Sequence, residues 1–275
     1  MADIVRFAIV TPTLDAGALL RQTVESVLAC LGPEDRYTIV DGGSVDGSVD
    51  EILPLLPPNA SVIRDRNGGM YDAIALGFER TPGDLMGWIN ASDLLLAGSL
   101  DTVRRAFRET GADLVHFDDL FIDERGQVLQ RTVGTVDRPQ EAMRLVGWTP
   151  LQDGCFWTRE LYERCGGIDP RWRLAGDFDF FLRAFHRGRT AYVPGVVSAF
   201  RRHPNQLSRR HRLDYERENR QVRERFASEN PQARSSLLAL WRRRLELSLR
   251  ARTGRNRRRT PLIGSHWQSV AASIE

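Results

Sequence analysis

The sequence predicts an α/β fold, a mainly parallel sheet flanked by helices, and three observations carry that expectation. Short apolar runs alternate with helical patterns through the first 118 residues, the rhythm of strands joined by crossover helices. Several of these runs end abruptly in polar tips, which parallel topology gathers on one rim of the sheet. At 275 residues the chain is long enough to bury a full core as one main domain with an appendage.

Residues 5–11 read as the first strand. Leu19, Leu20, Val24, Val27, Leu28 and Leu31 then mark one face of a helix. Residues 37–41 form the second strand, with a helix starting near Gly47. Residues 61–64 form a short third strand, and the helix from 71 to about 79 is stopped by Thr81-Pro82-Gly83. A fourth strand over 85–90, a helix over 99–110 and a fifth strand over 114–118 complete the alternating part. Beyond 119 the pattern changes to a hairpin (121–122 with 128–132), a stretch rich in Trp, Gly and Pro over 147–167, a helix over 177–187 and an extended run over 193–201.

Composition narrows the function. No apolar run approaches the roughly 18 residues of a membrane span. The N-terminus lacks signal-peptide order and runs straight into a strand, and Cys30, Cys155 and Cys165 lack metal spacing, so reduced thiols and a cytoplasmic location are expected. The basic side chains other than histidine are all arginine. Residues 1–200 carry 20 of them against 29 acids, and residues 201–275 carry 19 against 7. An acidic body with a basic C-terminal segment points to an anionic partner for that segment.

The rim residues suggest chemistry. Strand two delivers Asp41 into Gly42-Gly43-Ser44, strand one ends in Thr11-Pro12-Thr13-Leu14-Asp15, and strand four in Asn90-Ala91-Ser92-Asp93. The first loop lacks the glycine spacing of a dinucleotide fingerprint or P-loop, which argues against a nicotinamide dehydrogenase and an NTPase. It also lacks the glycine-rich basic loop that a sugar-1-phosphate nucleotidyltransferase requires. Carboxylates there suit a base or ribose (Asp41) and a divalent cation (Asp93), because Mg²⁺ or Mn²⁺ needs few protein carboxylates when substrate phosphates complete its shell.

Ala8-Ile9-Val10-Thr11-Pro12-Thr13, Val40-Asp41-Gly42-Gly43-Ser44-Val45-Asp46-Gly47, Gly69-Met70-Tyr71-Asp72-Ala73, Gly83-Asp84, Ile89-Asn90-Ala91-Ser92-Asp93, Gly166-Gly167-Ile168-Asp169 and Ala175-Gly176-Asp177-Phe178-Asp179-Phe180-Phe181-Leu182-Arg183 stand in the order of the family-two glycosyltransferases. The chain resembles that family from about residue 5 to 208, in particular the branch common in bacterial exopolysaccharide and lipopolysaccharide assembly. The resemblance implies a GT-A fold, a nucleotide-diphosphate sugar donor, Mn²⁺ or Mg²⁺, and inversion at the anomeric carbon through one carboxylate base.

Carried over residue by residue, Thr11, Asp41, Asp72, Asn90 and Ser92 are expected at the donor, Asp93 at the metal, and Arg201, Arg202 and His203 in the basic loop near the diphosphate, with His203 a second metal candidate. As a loop-tip acid, Asp93 is expected to contribute little to packing. Asp177 and Asp179 both open the helix over 177–187, and helical geometry does not choose between them. The family pattern assigns the base to Asp177 and leaves Asp179 as support. Trp148, Gln152 and Asp153 correspond to the acceptor side, where a saccharide, free or lipid-linked, would lie. The chain departs from the family in having one acid in Asn90–Asp93 where many members have two or three, and Ala75 where an amide is common.

The expected organisation is a GT-A domain over 1–208 and a basic helical extension over 209–275. In that extension Leu237, Leu238, Trp241, Leu245 and Leu249 form a stripe suited to packing on the domain, on a second copy in a homo-oligomer, or on an anionic membrane at the inner face of the cell. Nucleic acid is not an expected partner. A catalytically weak paralogue that binds a nucleotide sugar or scaffolds an assembly is the alternative, and the single acid at Asp93 sustains it.

Overall fold

The computed structural model describes residues 5–66, 68–134, 139–204, 206–233, 245, 257–258 and 262–274. Its centre is a seven-stranded sheet of β1 (Phe7–Thr13), β2 (Arg36–Asp41), β3 (Ala60–Arg64), β4 (Leu85–Trp88), β6 (Leu114–His116), β9 (Cys155–Thr158) and β10 (Thr190–Tyr192), in the order β10-β6-β9-β4-β1-β2-β3. β1 pairs in parallel with both β2 and β4, β2 with β3, and β6 with β10. β9 alone runs against its neighbours β4 and β6.

The predicted mainly parallel α/β sheet is therefore present. The sequence concealed β9, inside the Trp- and Gly-rich stretch, and β10, which precedes the extended run expected over 193–201.

Alternation along β1 sends its side chains into two cores. Phe7 and Ile9 pack with Leu20, Val24 and Val27 of α1 (Ala18–Leu28) and Leu100 and Val103 of α4 (Ser99–Thr110). Ala8 and Val10 pack with Ile74 and Phe78 of α3 (Met70–Arg80) and with Phe178 and Phe181 of α7 (Gly176–Arg187). Helix α3 lies so close that a Cβ on Gly77 would come within 2.5 Å of Val10. Trp88, Trp157, Phe180 and Phe181 form an aromatic cluster beneath α7, with Trp157 and Phe180 centroids 4.9 Å apart, and removing such rings would cost about 3–5 kcal/mol each.

A smaller sheet joins β5 (Leu94–Leu95), β7 (Asp119–Ile122), β8 (Val128–Thr132), β12 (Ser198–Arg201) and β13 (Arg257–Arg258) in the order β13-β8-β7-β12-β5. The remaining elements are α2 (Ser48–Ile52), α5 (Pro139–Val146), α6 (Arg159–Cys165), α8 (Leu207–Arg210), α9 (Arg212–Glu229), β11 (Gly195–Val196) and β14 (Ser273–Ile274).

Residues beyond 208 are integrated with the body. Val222 and Phe226 of α9 are buried in the α3–α7 core. Val270 is buried and Trp267 packs in a third core with Leu94, Leu120 and Ile122, and β14 pairs with β11. Among the described residues, apolar side chains from both sides of the boundary expected near 208 share the same cores. Of the expected amphipathic stripe, Leu237, Leu238, Trp241 and Leu249 lie outside the described residues. Among the described residues, no helix is long and apolar enough to cross a membrane.

Candidate active site

The rim loops after β1 and β2 are locked together. Gly42 donates its N–H to the Thr13 carbonyl at 2.9 Å. Asp15 accepts from Val45 N at 2.8 Å and donates its own N–H to Ser44 Oγ at 2.9 Å, and Asp46 accepts from Gly17 N at 2.8 Å. The Asp41 carboxylate turns back on its loop and accepts from Gly43 N and Ser44 N at 3.1 and 2.8 Å. Gly43 sits at φ 97, a left-handed conformation that glycine adopts without a Cβ penalty. A cavity of about 570 Å³ is lined by residues 12–16, Gly42, Gly68, Gly69, Asn90, Ser92 and His203, among others, a volume within the roughly 300–1,000 Å³ of ligand sites.

Thr11, Asp41 and Asp72, expected at the donor, are not among the side chains lining this cavity. Thr11 lies two residues inside the β1–β2 ladder, opposite Ile39, and its buried hydroxyl accepts from Tyr37 Oη at 2.9 Å. Asp41 is 2% exposed. Asp72 sits in the first turn of α3 and accepts from Gly69 N at 2.8 Å. Asp41 and Asp72 hold the backbone of the rim loops, whereas Thr11 bonds a side chain inside the sheet. Thr13, which the sequence reading passed over, faces the cavity instead, and its buried hydroxyl has no hydrogen-bond partner. Its position at the end of the ladder, opposite Asp41, is the signal that could have found it.

Asn90, Ser92 and Asp93 come together as expected. Asn90 and Ser92 line both this cavity and a second one of about 310 Å³, and Asp93 lines the second. Contrary to the expectation of a loop-tip acid, Asp93 is 1% exposed. Its carboxylate accepts from Arg201 N at 3.0 Å and Asn90 Nδ2 at 3.2 Å. Burial, reinforced by the nearby Asp153, pushes the Asp93 carboxyl well above the ordinary carboxylate range. Asn90 Oδ1 is buried without a partner.

The basic loop divides. Arg201, expected at the diphosphate, is fully buried. Its guanidinium donates to the carbonyls of Ser92, Asp123 and Glu124 and to Gln22 Oε1 at 2.9–3.1 Å. With its donors so taken, it braces the Asn90–Asp93 loop from behind. Arg202 is exposed and lies 3.9 Å over the Phe121 ring. His203 lines both cavities.

Asp177 and Asp179 part company. Asp177 lines the second cavity with Tyr71, Leu174, Gln152 and Tyr215. Tyr71 Oη lies 3.0 Å from Asp177 Oδ1 and, as a shared donor, 3.0 Å from the Leu174 carbonyl. Burial pushes the Asp177 carboxyl up to about 6, opposed by hydrogen bonds from Phe178 N and Tyr71. Asp179 is 5% exposed and paired with Arg183, whose Nε lies 2.9 Å away and which also donates to the carbonyls of Cys165 and Gly167. It serves packing under the helix.

On the expected acceptor side, Gln152 lines the second cavity, and both its amide atoms are buried without partners. Asp153 lies behind that wall at 1% exposure, its carboxyl pushed up to about 6 by burial. Trp148 is core: it packs edge-on to His116 and Phe185 with centroids 6.3 and 6.4 Å away. Among the described residues, no group of three or more His, Cys, Asp and Glu side chains could hold a metal ion.

The family model described as "Glycosyl transferase family 2" matches residues 8–159. The chain belongs to that family. A "PGL/p-HBAD biosynthesis glycosyltransferase" of Mycobacterium bovis is 27% identical over 209 residues, covering 70% of this chain and 76% of the relative, and an uncharacterized glycosyltransferase of Nostoc sp. is 24% identical over 184 residues, covering 62% and 57%. Solved structures of family-like fold include S. aureus TarS 1–349 in complex with UDP, with TM-score 0.66 at 14% identity over 90% of this chain and 72% of that one. GalNAc-T7 with UDP, GalNAc and Mn²⁺ gives TM-score 0.57 at 14% identity, over 74% of this chain and 45% of that one. At such identities the likeness concerns the GT-A fold, which this glycosyltransferase-family chain shares. In a further structure of S. aureus TarS 1–349 the chain spans 60% of that protein's length.

Proposed function

We propose that this protein transfers a sugar from a nucleotide-diphosphate donor to a saccharide hydroxyl with inversion, using Asp177 as base. The observation that carries the reading is the shared wall of the two cavities: Met70, Asn90, Ser92, His203 and Leu207 line both, and Asp177 lies in the second. A donor on the backbone-lined side would present its anomeric carbon across that wall to an acceptor beside Asp177. The acceptor oxygen attacks that carbon, its proton passes to the Asp177 carboxylate, and the bond to the diphosphate breaks on the opposite face. A positioned base contributes about 10²–10⁴-fold. A carboxyl near 6 is largely ionised at neutral pH yet more basic than an ordinary aspartate.

The residues fit a divalent cation held jointly with substrate. Asp93 and His203 would supply two ligands, and the partnerless Asn90 Oδ1 lies on the same wall; phosphate oxygens and water would complete the shell. Bound there, Mg²⁺ or Mn²⁺ would offset the charge that gathers on the departing diphosphate. The acceptor saccharide, free or lipid-linked, would belong to cell-surface polysaccharide biosynthesis, and a relative named for "PGL/p-HBAD biosynthesis" supports a biosynthetic setting.

Transfer from a panel of nucleotide sugars, with the product's anomeric configuration read by NMR, tests the proposal; retention of configuration would overturn the role of Asp177. A second reading, a nucleotide-sugar-binding protein without turnover, is favoured by the single buried acid at Asp93. Calorimetric binding of a donor with no transfer or hydrolysis, with and without Mn²⁺, would select it.

A further inference from the structure

Helix α9 begins more than fifty residues beyond the family-matched span, yet it reaches the candidate base from behind. The Glu218 carboxylate accepts two hydrogen bonds on one oxygen, from Leu174 N at 2.8 Å and Ala175 N at 2.9 Å. Those amides immediately precede the first turn of α7, which carries Asp177. The Leu174 carbonyl in turn accepts from Tyr71 Oη, the same hydroxyl that lies 3.0 Å from Asp177. The Tyr71 ring lies flat against Gly176, where a Cβ would come within 2.7 Å of it.

The helix is well anchored for this task. Val222 and Phe226 are 1% and 4% exposed in the core, and Arg225 pairs with Asp169 at 2.8 Å. Tyr215 stands one turn before Glu218, on the same helical face, and lines the cavity with Asp177. One face of α9 thus presents a cavity wall, a backbone acceptor, and core anchors in succession.

We propose that α9 is the positioning element of the catalytic pocket: Glu218 fixes the backbone that aims Asp177, and Tyr215 closes the cavity beside it. The proposal rests on the reading of Asp177 as base. It makes Glu218 a positioning residue that acts through hydrogen-bond geometry. Because both bonds end on one oxygen, a glutamine carbonyl can replace the carboxylate, whereas alanine cannot.

The test uses the full chain and four proteins: wild type, E218A, E218Q and Y215A. E218A is expected to lower kcat by ~10–100-fold, the scale of a small misplacement of a reacting group, with donor KM within ~3-fold. E218Q should recover most of that loss. Y215A should lower kcat by at least ~5-fold, again sparing donor KM. Wild-type kcat in E218A, a loss carried by donor KM, or an E218Q as impaired as E218A would each overturn the proposal. If E218A does not fold, unchanged kcat in Y215A or full impairment in E218Q overturns it just as well. Amide hydrogen exchange keeps the two readings apart: should wild type transfer no sugar, the proposed function fails, while faster exchange at Leu174 and Ala175 in E218A than in wild type and E218Q still supports the clamp. Equal exchange in all variants would overturn it.

Discussion

The two sides of the candidate site are built differently. The proposed donor side rests on locked loops: those after β1 and β2 hold each other through pairs 29 and 30 residues apart, and the side chains of Asp15, Asp41 and Asp46 accept from main-chain amides. The proposed acceptor side gathers residues from 70–71, 90–93, 149–152, 174–177, 200–207 and 215, with partners such as Tyr71 and Asp177 separated by 106 residues. A backbone cradle suits a ligand part common to many donors. A pocket of distant side chains can change its shape by substitution without disturbing the sheet. The comparison teaches that loss of turnover should map to the second side and loss of donor affinity to the first.

The largest expected effect is Asp177→Asn, which should lower kcat by at least about 10²-fold with little change in donor KM. A donor KM defect of similar size would break the division. In the wild type, kcat should fall as pH drops through about 6, because the base acts only when ionised; the Asn variant should lack that limb. Asp93→Asn comes next. The Mn²⁺-stimulated part of the rate should vanish, roughly a 10-fold loss or more, while circular dichroism stays native, since an asparagine oxygen can still accept from Arg201 N. Undiminished Mn²⁺ stimulation would remove Asp93 from the metal.

Asp179→Ala should separate stability from chemistry. Removing one partner of a buried pair costs roughly 3 kcal/mol, read by urea unfolding, whereas kcat per folded molecule should stay within about 3-fold. An Asp177→Asn variant should unfold at higher urea than wild type at pH 7. A carboxyl whose folded value is raised binds its proton more tightly in the native state, so the contribution of Asp177 to wild-type stability is full below about pH 4 and is lost as pH rises through about 6. At pH 4 the two proteins should converge. Smallest of all, Asp15→Ala unlocks the two rim loops and should raise donor KM by about 3–10-fold with kcat nearly unchanged.

Sequence reasoning read the donor side's architecture well and its contacts less well. The strands before Asp41 and Asn90, and the loops after them, follow from apolar runs that end in polar residues within a few positions. Which of Thr11 and Thr13 faces the cavity depends on where the ladder with β2 stops, and that is a register fact. β9 escaped notice because Cys-Phe-Trp-Thr has no alternation: Cys155, Phe156 and Trp157 are buried, as expected for a strand covered on both faces. Arg201 read as an exposed phosphate ligand because its acceptors, Gln22, Ser92, Asp123 and Glu124, are distant in sequence. Tyr215 and Glu218 gave no signal at all, lying in a charged helix whose apolar contacts are few and widely spaced.

Arg201 also sets a schedule. Its N–H reaches Asp93 across 108 residues and its guanidinium reaches Gln22 across 179. At a synthesis rate of roughly 5–20 residues per second, the Asn90–Asp93 loop emerges roughly 5–20 s before the arginine that braces it. A nascent chain, or a product truncated before residue 201, therefore carries the early strands of the sheet and an unbraced Asp93. A chain truncated before residue 201 should retain nucleotide sugar less well than the full chain, so that competence for the donor arrives late in translation.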